Sequence, residues 1–385
     1  MEKQGKSTQL HNVITVVVFL GLIGFFTVAG ILNPDRVFSA NENRYLAQKP
    51  KWTTERFFDG EFATDYENYI TDQFIWRDTW IRVKTISEIS IGKKDVNGVY
   101  LCRDDYLIET QTEIDEEKAY SNADRMISFL NGKVEQMGEN HVAMMIVPTA
   151  VATLSDKLPK HAQTFDQNQY IDYMSEGFSG IFVDVRDSFD VHKDDYIYYK
   201  TDHHWTTKGA FLAYDEWADR MGYTAFSEEA FDIVQVSGDF LGTVYSKLNY
   251  ARSADRMYLY KIKQDIRYDV DIDLGAKKMT GLYEESHLAE KDKYSVFLDG
   301  NHSIVTIDTT GGKRDGDTLL IIKDSYAHCF IPFVANHYDR TVVVDMRYLK
   351  MPMNQVIEKY GITDILVLYN AIHFAEDINM PLLSY

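Results

Sequence analysis

Short apolar runs alternate with helical segments in this chain, most clearly in its last third. The predicted strands cover residues 142–147, 319–322, 341–344 and 365–368, and the predicted helices of the last third cover residues 326–336 and 352–360. Strands that alternate with helices form a mainly parallel sheet with helices on both faces. The sequence therefore predicts an α/β fold, in which the active site forms at the carboxyl ends of the strands.

An apolar segment near the N-terminus constrains where the chain works. Residues 13–32 carry no charge, and this length is enough to cross a hydrocarbon core of ~30 Å as a helix. Lys3 and Lys6 precede the segment, which favours an orientation with the N-terminus inside the cell. A cleaved signal peptide is the alternative, with Val28-Ala29-Gly30 as the cleavage site. Because the apolar run continues through Leu32, we expect an uncleaved signal anchor.

These features give an expected domain layout. It comprises a cytoplasmic tail (1–12), a transmembrane anchor (13–32), an exit segment followed by a juxtamembrane helix at 61–90 (33–90 together), and an α/β domain (91–385). Residues 237–316 lack a long apolar run and contain many Asp and Lys residues, so we expect an insertion that lies over the domain. The C-terminal domain is expected outside the cytoplasmic membrane, held by a single-pass anchor.

Charge and cysteine content exclude some classes of function. The formal net charge of −19 argues against nucleic acid or anionic lipid as the main partner. The chain has only two cysteines, Cys102 and Cys329, so it has no disulfide framework. We expect two buried thiols that pack as small apolar groups, with a single disulfide as the alternative.

The stretch TDHHWT, residues 201–206, concentrates groups that carry chemistry. A carboxylate two residues from an imidazole can turn back on it, hold its tautomer and stabilise its protonated form. We therefore expect Asp202 to orient His204 as a general base. His203 is expected to support the site or contact substrate, and Trp205 to pack and fix the turn.

Two other interpretations of this stretch remain open. The first is a structural turn with a capping Asp202 and a packed His204. The second is a metal site formed by Asp202, His203 and His204, although adjacent residues cannot readily all face one ion, and no HExxH or CxxC pattern accompanies them.

Ser325 is the candidate nucleophile. Unlike Ser246 and Ser303, it follows a predicted buried strand and precedes a predicted helix, where a nucleophile is usually placed. Its backbone amide would lie at a helix N-terminus and point toward an oxyanion. Together with Asp202 and His204 it predicts a Ser–His–Asp acyl-transfer site, with Ser325 Oγ within hydrogen-bond reach of His204.

Three further residues are candidates for oxyanion or substrate binding. Asn370 ends the strand at 365–368, where its side-chain amide could donate to the oxyanion or simply cap the next helix. Arg347 follows the strand at 341–344 and could contact the substrate or the acyl donor. Tyr326 follows the nucleophile, with packing as the alternative role.

At this point the motifs support a resemblance. The sequence resembles the DHHW protein family, through Asp202-His203-His204-Trp205, and through it the SGNH-hydrolase-like proteins of bacterial alginate O-acetylation. In that group an Asp-x-His-Trp motif precedes the nucleophile serine, matched here by Ser325 in KDSY. The segments ENRYLAQKP and GVYLCRDDYLIE are also similar to its N-terminal region. The chain departs from the SGNH pattern by Lys-Asp-Ser in place of Gly-Asp-Ser, and by the lack of a Gly-x-Asn-Asp block.

The resemblance implies an SGNH-hydrolase-like fold and a function. It implies an extracytoplasmic O-acetyltransferase or acetylesterase that acts on a cell-surface polysaccharide through an acyl-serine intermediate. It also implies a membrane-bound O-acyltransferase as partner. We expect no cofactor and no nucleic-acid partner. The alternative is a non-catalytic cell-surface scaffold that binds polymer or an acyltransferase.

Overall fold

The chain divides into two compact units, Met1–Ser90 and Ile91–Tyr385. The computed structural model describes residues 2–39, 41–42, 44–312 and 316–384. Asn43 of the ENRYLAQKP motif and residues 313–315 of the expected insertion therefore lie outside the described residues.

The first unit consists of one long apolar helix and several short elements. These elements are α1 (Glu2–Leu32), β1 (Phe38–Ser39), β2 (Arg44–Tyr45), α2 (Thr54–Phe58), α3 (Glu61–Asp72) and α4 (Arg77–Ser90). His11–Leu32 within α1 is long and apolar enough to cross a membrane. The single helix predicted at 61–90 is wrong. The segment forms two helices, because Trp76, which lies between them, adopts a left-handed backbone conformation with φ 55°.

The second unit contains a central sheet, a small three-stranded sheet and a separate strand pair. The strands are β3 (Asp95–Val96), β4 (Val99–Leu101), β5 (Leu107–Glu109), β6 (Val142–Val147), β7 (Ile181–Phe182), β8 (Phe231–Phe240), β9 (Asp255–Ile262), β10 (Arg267–Ile272), β11 (Lys277–Met279), β12 (Ile304–Thr310), β13 (Thr318–Lys323), β14 (Arg340–Val344) and β15 (Asp364–Asn370). The α-helices are α5 (Glu116–Met137), α6 (Ala150–Thr153), α7 (Gln167–Gly177), α8 (Arg186–Val191), α9 (Thr207–Arg220), α10 (Thr243–Leu248), α11 (Ile331–Val334), α12 (Met353–Tyr360) and α13 (Ala371–Glu376).

The central sheet has eight strands in the order β11-β10-β12-β14-β13-β15-β6-β7. The five strands from β14 to β7 are parallel, and β12, β10 and β11 add an antiparallel edge. Ile322 of β13 lies opposite Val344 of β14 and Val367 of β15. The carboxyl ends of these three strands therefore meet at one edge, and the predicted mainly parallel α/β fold is confirmed.

Apolar cores cover both faces of the sheet. Along β13, Leu319 and Ile321 pack into one core, whereas Leu320 and Ile322 pack into the other. This is why the strand is a continuous apolar run rather than an alternating one. Full burial of each such side chain contributes roughly 1.5–3 kcal/mol. The strand that carries the candidate nucleophile at its end is thus held from two sides.

The prediction of an insertion at 237–316 does not agree with the structure. We expected it to lie over the domain, but β10, β11 and β12 fall within it and extend the central sheet. β12 pairs antiparallel with β14 along its length, from Ile304 opposite Val344 to Asp308 opposite Arg340. Buried and half-buried positions alternate in β12, where Thr and Asp separate the apolar residues. A strand of this kind lacks a long apolar run, so the sequence pattern concealed it.

The prediction of one continuous helix at 326–336 is also wrong. The structure has a 3-10 turn at Ser325–Cys329, then α11, then a second 3-10 turn at Ala335–His337. Pro332 lies in the first turn of α11 and has no N–H to donate back toward His328. A continuous helix is therefore interrupted at this point. Cys102 and Cys329 are both free thiols, the first half-buried and the second buried.

Candidate active site

The DHHW stretch is held in a buried turn by one carboxylate. Asp255, at the start of β9, accepts hydrogen bonds from the backbone N–H groups of Lys200 (2.7 Å) and Thr201 (2.8 Å) and from the Thr201 hydroxyl (2.5 Å). Tyr198 and Trp205 form an isolated antiparallel bridge across the turn. The turn therefore presents the side chains at 202–204 in one fixed arrangement.

His204 connects Asp202 with Ser325. Its Nδ1 lies 2.6 Å from Asp202 Oδ1, and its Nε2 lies 2.7 Å from Ser325 Oγ. A carboxylate can only accept, so Nδ1 carries the proton and Nε2 accepts from the serine hydroxyl. Asp202 and His204 are buried, whereas Ser325 is half-buried and reachable from solvent. The structure thus brings Ser325 to the Asp202–His204 pair, although His204 and Ser325 are 121 positions apart in the sequence.

The second oxygen of Asp202 is held by residues that sequence reasoning missed. Thr243 donates to Asp202 Oδ2 from its backbone N–H (2.9 Å) and from its hydroxyl (3.2 Å). Burial opposes ionisation of Asp202, but the neighbouring His204 and His203 and these hydrogen bonds outweigh it and lower its pKa. Asp202 is therefore an ionised acceptor with every oxygen in use.

Gly242 allows this contact. A Cβ atom built on Gly242 would lie 2.2 Å from Asp202 Oδ2 and 2.3 Å from Asp202 Cβ. Any larger residue would therefore displace the carboxylate. Gly242 and Thr243 lie in the segment SGDFLGTVY of the expected insertion, and the Gly-Thr pair before a short helix was the only signal of their role.

The ring of His204 is covered on both faces. Tyr294 stacks on it at a centroid distance of 3.7 Å and an angle of 11°, and His203 packs on it at 3.8 Å and 38°. The Tyr294 hydroxyl donates to the Ser325 carbonyl (3.1 Å) and lies 3.3 Å from Cys329 Sγ. The sequence did not predict this role of Tyr294. Its neighbours in the sequence do not relate it to His204, 90 residues before it, or to Ser325, 31 residues after it.

Two hydrogen bonds join the DHHW turn to the serine turn. The indole Nε1 of Trp205 donates to the Tyr326 carbonyl (2.8 Å), and the Tyr326 hydroxyl donates to the His203 carbonyl (2.6 Å). Both side chains are fully buried. Trp205 lies where we expected a packing residue. Tyr326 has the packing role given as its alternative, since its hydroxyl is used inside the protein.

Ser325 lies at the carboxyl end of β13, immediately after Asp324. Asp324 Oδ1 accepts from the Tyr326 N–H (2.9 Å) and caps the turn. In the part of the chain that the structure describes, the backbone N–H of Ser325 has no hydrogen-bond acceptor. This donor is adjacent to the candidate nucleophile and available to an oxyanion.

Asn370 makes the capping contacts rather than presenting a free amide. Its Nδ2 and backbone N–H donate to Asp324 Oδ2 (2.6 and 3.0 Å), and its Oδ1 accepts from the His373 N–H (2.9 Å). One amide N–H is therefore used by Asp324, and the role of Asn370 as an oxyanion donor stays a prediction. The amide is drawn to Asp324 because that buried carboxylate needs donors on both oxygens.

Arg347 is also engaged inside the protein. Its Nε and Nη2 donate to Asp345 (2.8 and 2.5 Å), and Nη2 also reaches Asn301 Oδ1 (3.1 Å). Asp345 accepts in addition from Lys323 Nζ (2.9 Å). Burial opposes the charge of Arg347, but Asp345 outweighs it and raises the pKa of the guanidinium. The structure therefore places Arg347 in a buried ion cluster, with its side chain only partly open to solvent.

His203 lies at the open side of the site. Its Nδ1 is 2.6 Å from Thr243 Oγ1, and its side chain is about one-third exposed. The potential metal-binding atoms of Asp202, His203 and His204 lie within 4.8 Å of one another. The Nδ1 atoms of both imidazoles and both oxygens of Asp202 already take part in hydrogen bonds, so a cation bound through these atoms would have to replace those bonds.

The α/β sheet and its strand-end serine, facing an Asp-x-His-Trp turn, define an SGNH-hydrolase-like protein. The chain belongs to the DHHW protein family, whose model matches residues 105–344. The resemblance inferred from the motifs is therefore confirmed. A search of curated protein sequences finds no match.

Solved structures share the fold. A crystal structure of a DHHW family protein from Eubacterium siraeum matches with a TM-score of 0.64 and 24% identity over 75% of this chain and 96% of that one. Bacillus cereus PatB1 with a sulfonyl adduct matches with a TM-score of 0.60 and 17% identity, over 74% and 97%. The O-acetyltransferase domain of Pseudomonas putida AlgJ is more distant, with a TM-score of 0.44 and 12% identity over 73% and 93%.

Proposed function

We propose that this chain is an extracytoplasmic O-acetyltransferase or acetylesterase that acts on a cell-surface polysaccharide through an acyl-serine intermediate. The observation that carries the proposal is the continuous hydrogen-bonded chain from Asp202 through His204 to Ser325. The polysaccharide is inferred from the likeness of the DHHW motif and its order to the alginate O-acetylation proteins.

In the first half-reaction Ser325 Oγ attacks the carbonyl carbon of the acyl donor. His204 Nε2 takes the hydroxyl proton as the Oγ–C bond forms, and Asp202 stabilises the resulting imidazolium. The carbonyl oxygen becomes an oxyanion and accepts from the Ser325 N–H. The intermediate then collapses, the leaving group departs with the proton from His204, and acyl-Ser325 remains.

In the second half-reaction a sugar hydroxyl or water removes the acyl group. His204 takes the acceptor proton, the acceptor oxygen bonds to the acyl carbon, and the Oγ–C bond breaks. Ser325 regains its proton from His204. A sugar hydroxyl gives O-acetyl transfer, and water gives hydrolysis.

We propose that His203 holds the acceptor. The Thr243 hydroxyl donates to Asp202, so it must accept from His203 Nδ1–H. His203 Nε2 then carries a lone pair, which no donor among the described residues uses. Burial and the neighbouring His204 lower the pKa of His203 to about 4, so the ring is neutral near pH 7. Its lone pair can accept from a sugar hydroxyl beside Ser325.

Labelling with a sulfonyl fluoride tests the nucleophile. We expect phenylmethanesulfonyl fluoride to add once, at Ser325, as read by peptide mass spectrometry. Ser325→Ala and His204→Ala should abolish labelling, while Ser303→Ala, whose hydroxyl donates to Asp273 elsewhere in the unit, should not. A folded wild-type protein that resists labelling would favour the scaffold function instead.

A burst experiment tests His203. With an aryl acetate, the initial burst of phenol reports acylation of Ser325, and the steady rate with an added oligosaccharide reports acyl removal. We expect His203→Ala to keep the burst and to slow the steady rate. An equal loss of both phases would mean that His203 supports the general base His204 rather than binding the acceptor.

We also propose that α1 stays attached as a signal anchor with the C-terminal domain outside. Its supporting observations are the length and apolar character of His11–Leu32. Acyl donors made inside the cell would reach Ser325 through a membrane-bound O-acyltransferase, which an anchored domain could meet. Membrane fractionation with N-terminal sequencing tests this, since a soluble product that begins at Ile31 would reveal a cleaved signal.

A further inference from the structure

Aromatic side chains around the α3–α4 turn contact the apolar helix α1. Phe74 stacks on Phe26 with a centroid distance of 5.5 Å, and Trp80 meets the same ring edge-on at 5.9 Å. Trp76 packs against Phe25 at 6.3 Å. All five rings belong to the first unit. The turn therefore lies beside the apolar helix, not beyond its end.

The position of these contacts along α1 sets a depth. Phe26 lies six residues before Leu32, the last residue of the apolar segment His11–Leu32. At 1.5 Å per residue this is about 9 Å along the helix axis. If α1 spans a bilayer, rings that touch Phe26 lie about 9 Å inside the end of the spanning segment, whichever way the helix is oriented.

The same rings carry a large exposed apolar surface. Trp76 is 62% exposed, Trp80 is 43% exposed and Phe74 is 39% exposed. Ile70, Val83 and Ile86 on the flanking helices are exposed as well. A soluble surface rarely displays so many large apolar side chains together, and such patches usually mark a membrane or partner contact.

The turn that displays them is firmly bonded. Gln73 accepts from the Arg36 N–H (2.9 Å) and donates to the carbonyls of Arg36 (2.9 Å) and Ala47 (3.0 Å). Asp72 holds Arg44 through two hydrogen bonds of 2.8 and 2.6 Å. The exposed rings are thus presented by a built structure and not by a loose loop.

Two ion pairs lie near the turn. Asp72 is buried on Arg44, and Arg77 pairs with Glu42, with both side chains largely shielded. Paired charges lower the cost of approaching a medium of low dielectric constant. Trp and Tyr concentrate where the hydrocarbon core meets the headgroups, because their rings are apolar and carry one polar group.

We propose that the α3–α4 turn is inserted into the end of the hydrocarbon core beside the anchor, with Phe74, Trp76 and Trp80 in contact with lipid chains. This inference rests on the proposed anchor but not on the proposed chemistry. The occupant is the bilayer itself, because the patch is continuous with the helix that would span it. Inserted there, the turn would hold the segment that follows α1 against the membrane.

Tryptophan quenching tests the inference on the full chain in phosphatidylcholine vesicles that carry brominated acyl chains. The chain has five tryptophans, of which Trp205 and Trp217 are fully buried in the second unit. We expect bromolipid to quench the wild type, and we expect most of that quenching to be lost in Trp76→Phe/Trp80→Phe. Trp52→Phe is the matched control, because Trp52 is 62% exposed but has no ring contact with α1 among the described residues.

The possible outcomes test the anchor hypothesis and the hypothesis of the inserted turn separately. A chain that fails to float with the vesicles would refute the anchor and the inference together. A chain that floats but whose Trp76 and Trp80 are quenched by aqueous acrylamide and not by bromolipid would refute the inference alone. Protection from both quenchers would also overturn it, in favour of a protein cover such as a second copy.

Discussion

Trp205 donates its indole N–H to the carbonyl of Tyr326, 2.8 Å away, and Tyr326 returns a hydrogen bond to the carbonyl of His203. The two turns that carry the proposed base and the proposed nucleophile are therefore fastened to each other by two side-chain hydrogen bonds. The same two turns also meet in the 2.7 Å contact between His204 Nε2 and Ser325 Oγ.

We expect Trp205→Phe to loosen the site while keeping an aromatic ring. The buried carbonyl of Tyr326 loses its indole donor and keeps only the weak contact with Cys329 Sγ at 3.8 Å, and a loss of this kind typically costs about 1–3 kcal/mol of unfolding free energy. Trp217→Phe is the control, because among the described residues the buried Trp217 N–H has no acceptor to lose. Urea unfolding should rank Trp205→Phe as clearly less stable than Trp217→Phe, and equal losses would mean that the hydrogen bond contributes little.

Gly242→Ala should displace Asp202. The new methyl group would meet the carboxylate at 2.2 Å, and overpacking of this kind typically costs about 1–3 kcal/mol. We expect a marked loss of aryl-acetate turnover. Gly281→Ala, where a methyl group meets nothing within 4 Å, should retain activity. Unchanged turnover in Gly242→Ala would show that Asp202 does not need its present position.

His204→Ala should abolish turnover while the protein stays folded. Asp202→Asn removes the acceptor that fixes the tautomer but leaves the base, so we expect a loss on the order of 10²–10⁴-fold. Steady-state kinetics with an aryl acetate and circular dichroism of each variant measure both effects. Wild-type activity in His204→Ala would assign the esterase signal to another site.

Stability should fall on acidification partly through His203. Burial and His204 lower its pKa from 6.5 to about 4, so between these values the unfolded chain binds more protons than the folded one. The free energy of unfolding then rises with pH across that window. His203→Gln cannot titrate, so its stability should depend less on pH between 4 and 6.5 in urea unfolding experiments. His328, buried and with a lowered pKa, contributes in the same direction and leaves part of the slope.

The sequence predicted four of the parallel strands of the sheet and the three residues that meet in its site. Continuous apolar runs such as 142–147 mark strands buried on both faces, and their bounds match β6. Asp202 and His204 were identifiable because their interaction is local, and Ser325 because a strand end predicts its position.

Residues whose roles depend on distant partners could not be predicted in the same way. Tyr294 covers His204 only because the chain at 237–316 returns to the site, and its sequence has no periodicity that says so. Asn370 and Arg347 were expected at the substrate because they follow strands. Their contacts are set instead by Asp324 and Asp345, whose buried charges take the nearest donors.

The covered ring of His204 also constrains the order of events. With Tyr294 on one face, His203 on the other and Asp202 on Nδ1, a single lone pair must serve both the departing and the arriving oxygen. Those two oxygens compete for one place, so no ternary complex of donor and acceptor can be productive. Under the proposed chemistry the kinetics are double-displacement: lines of reciprocal rate against reciprocal donor concentration stay parallel as the acceptor is varied.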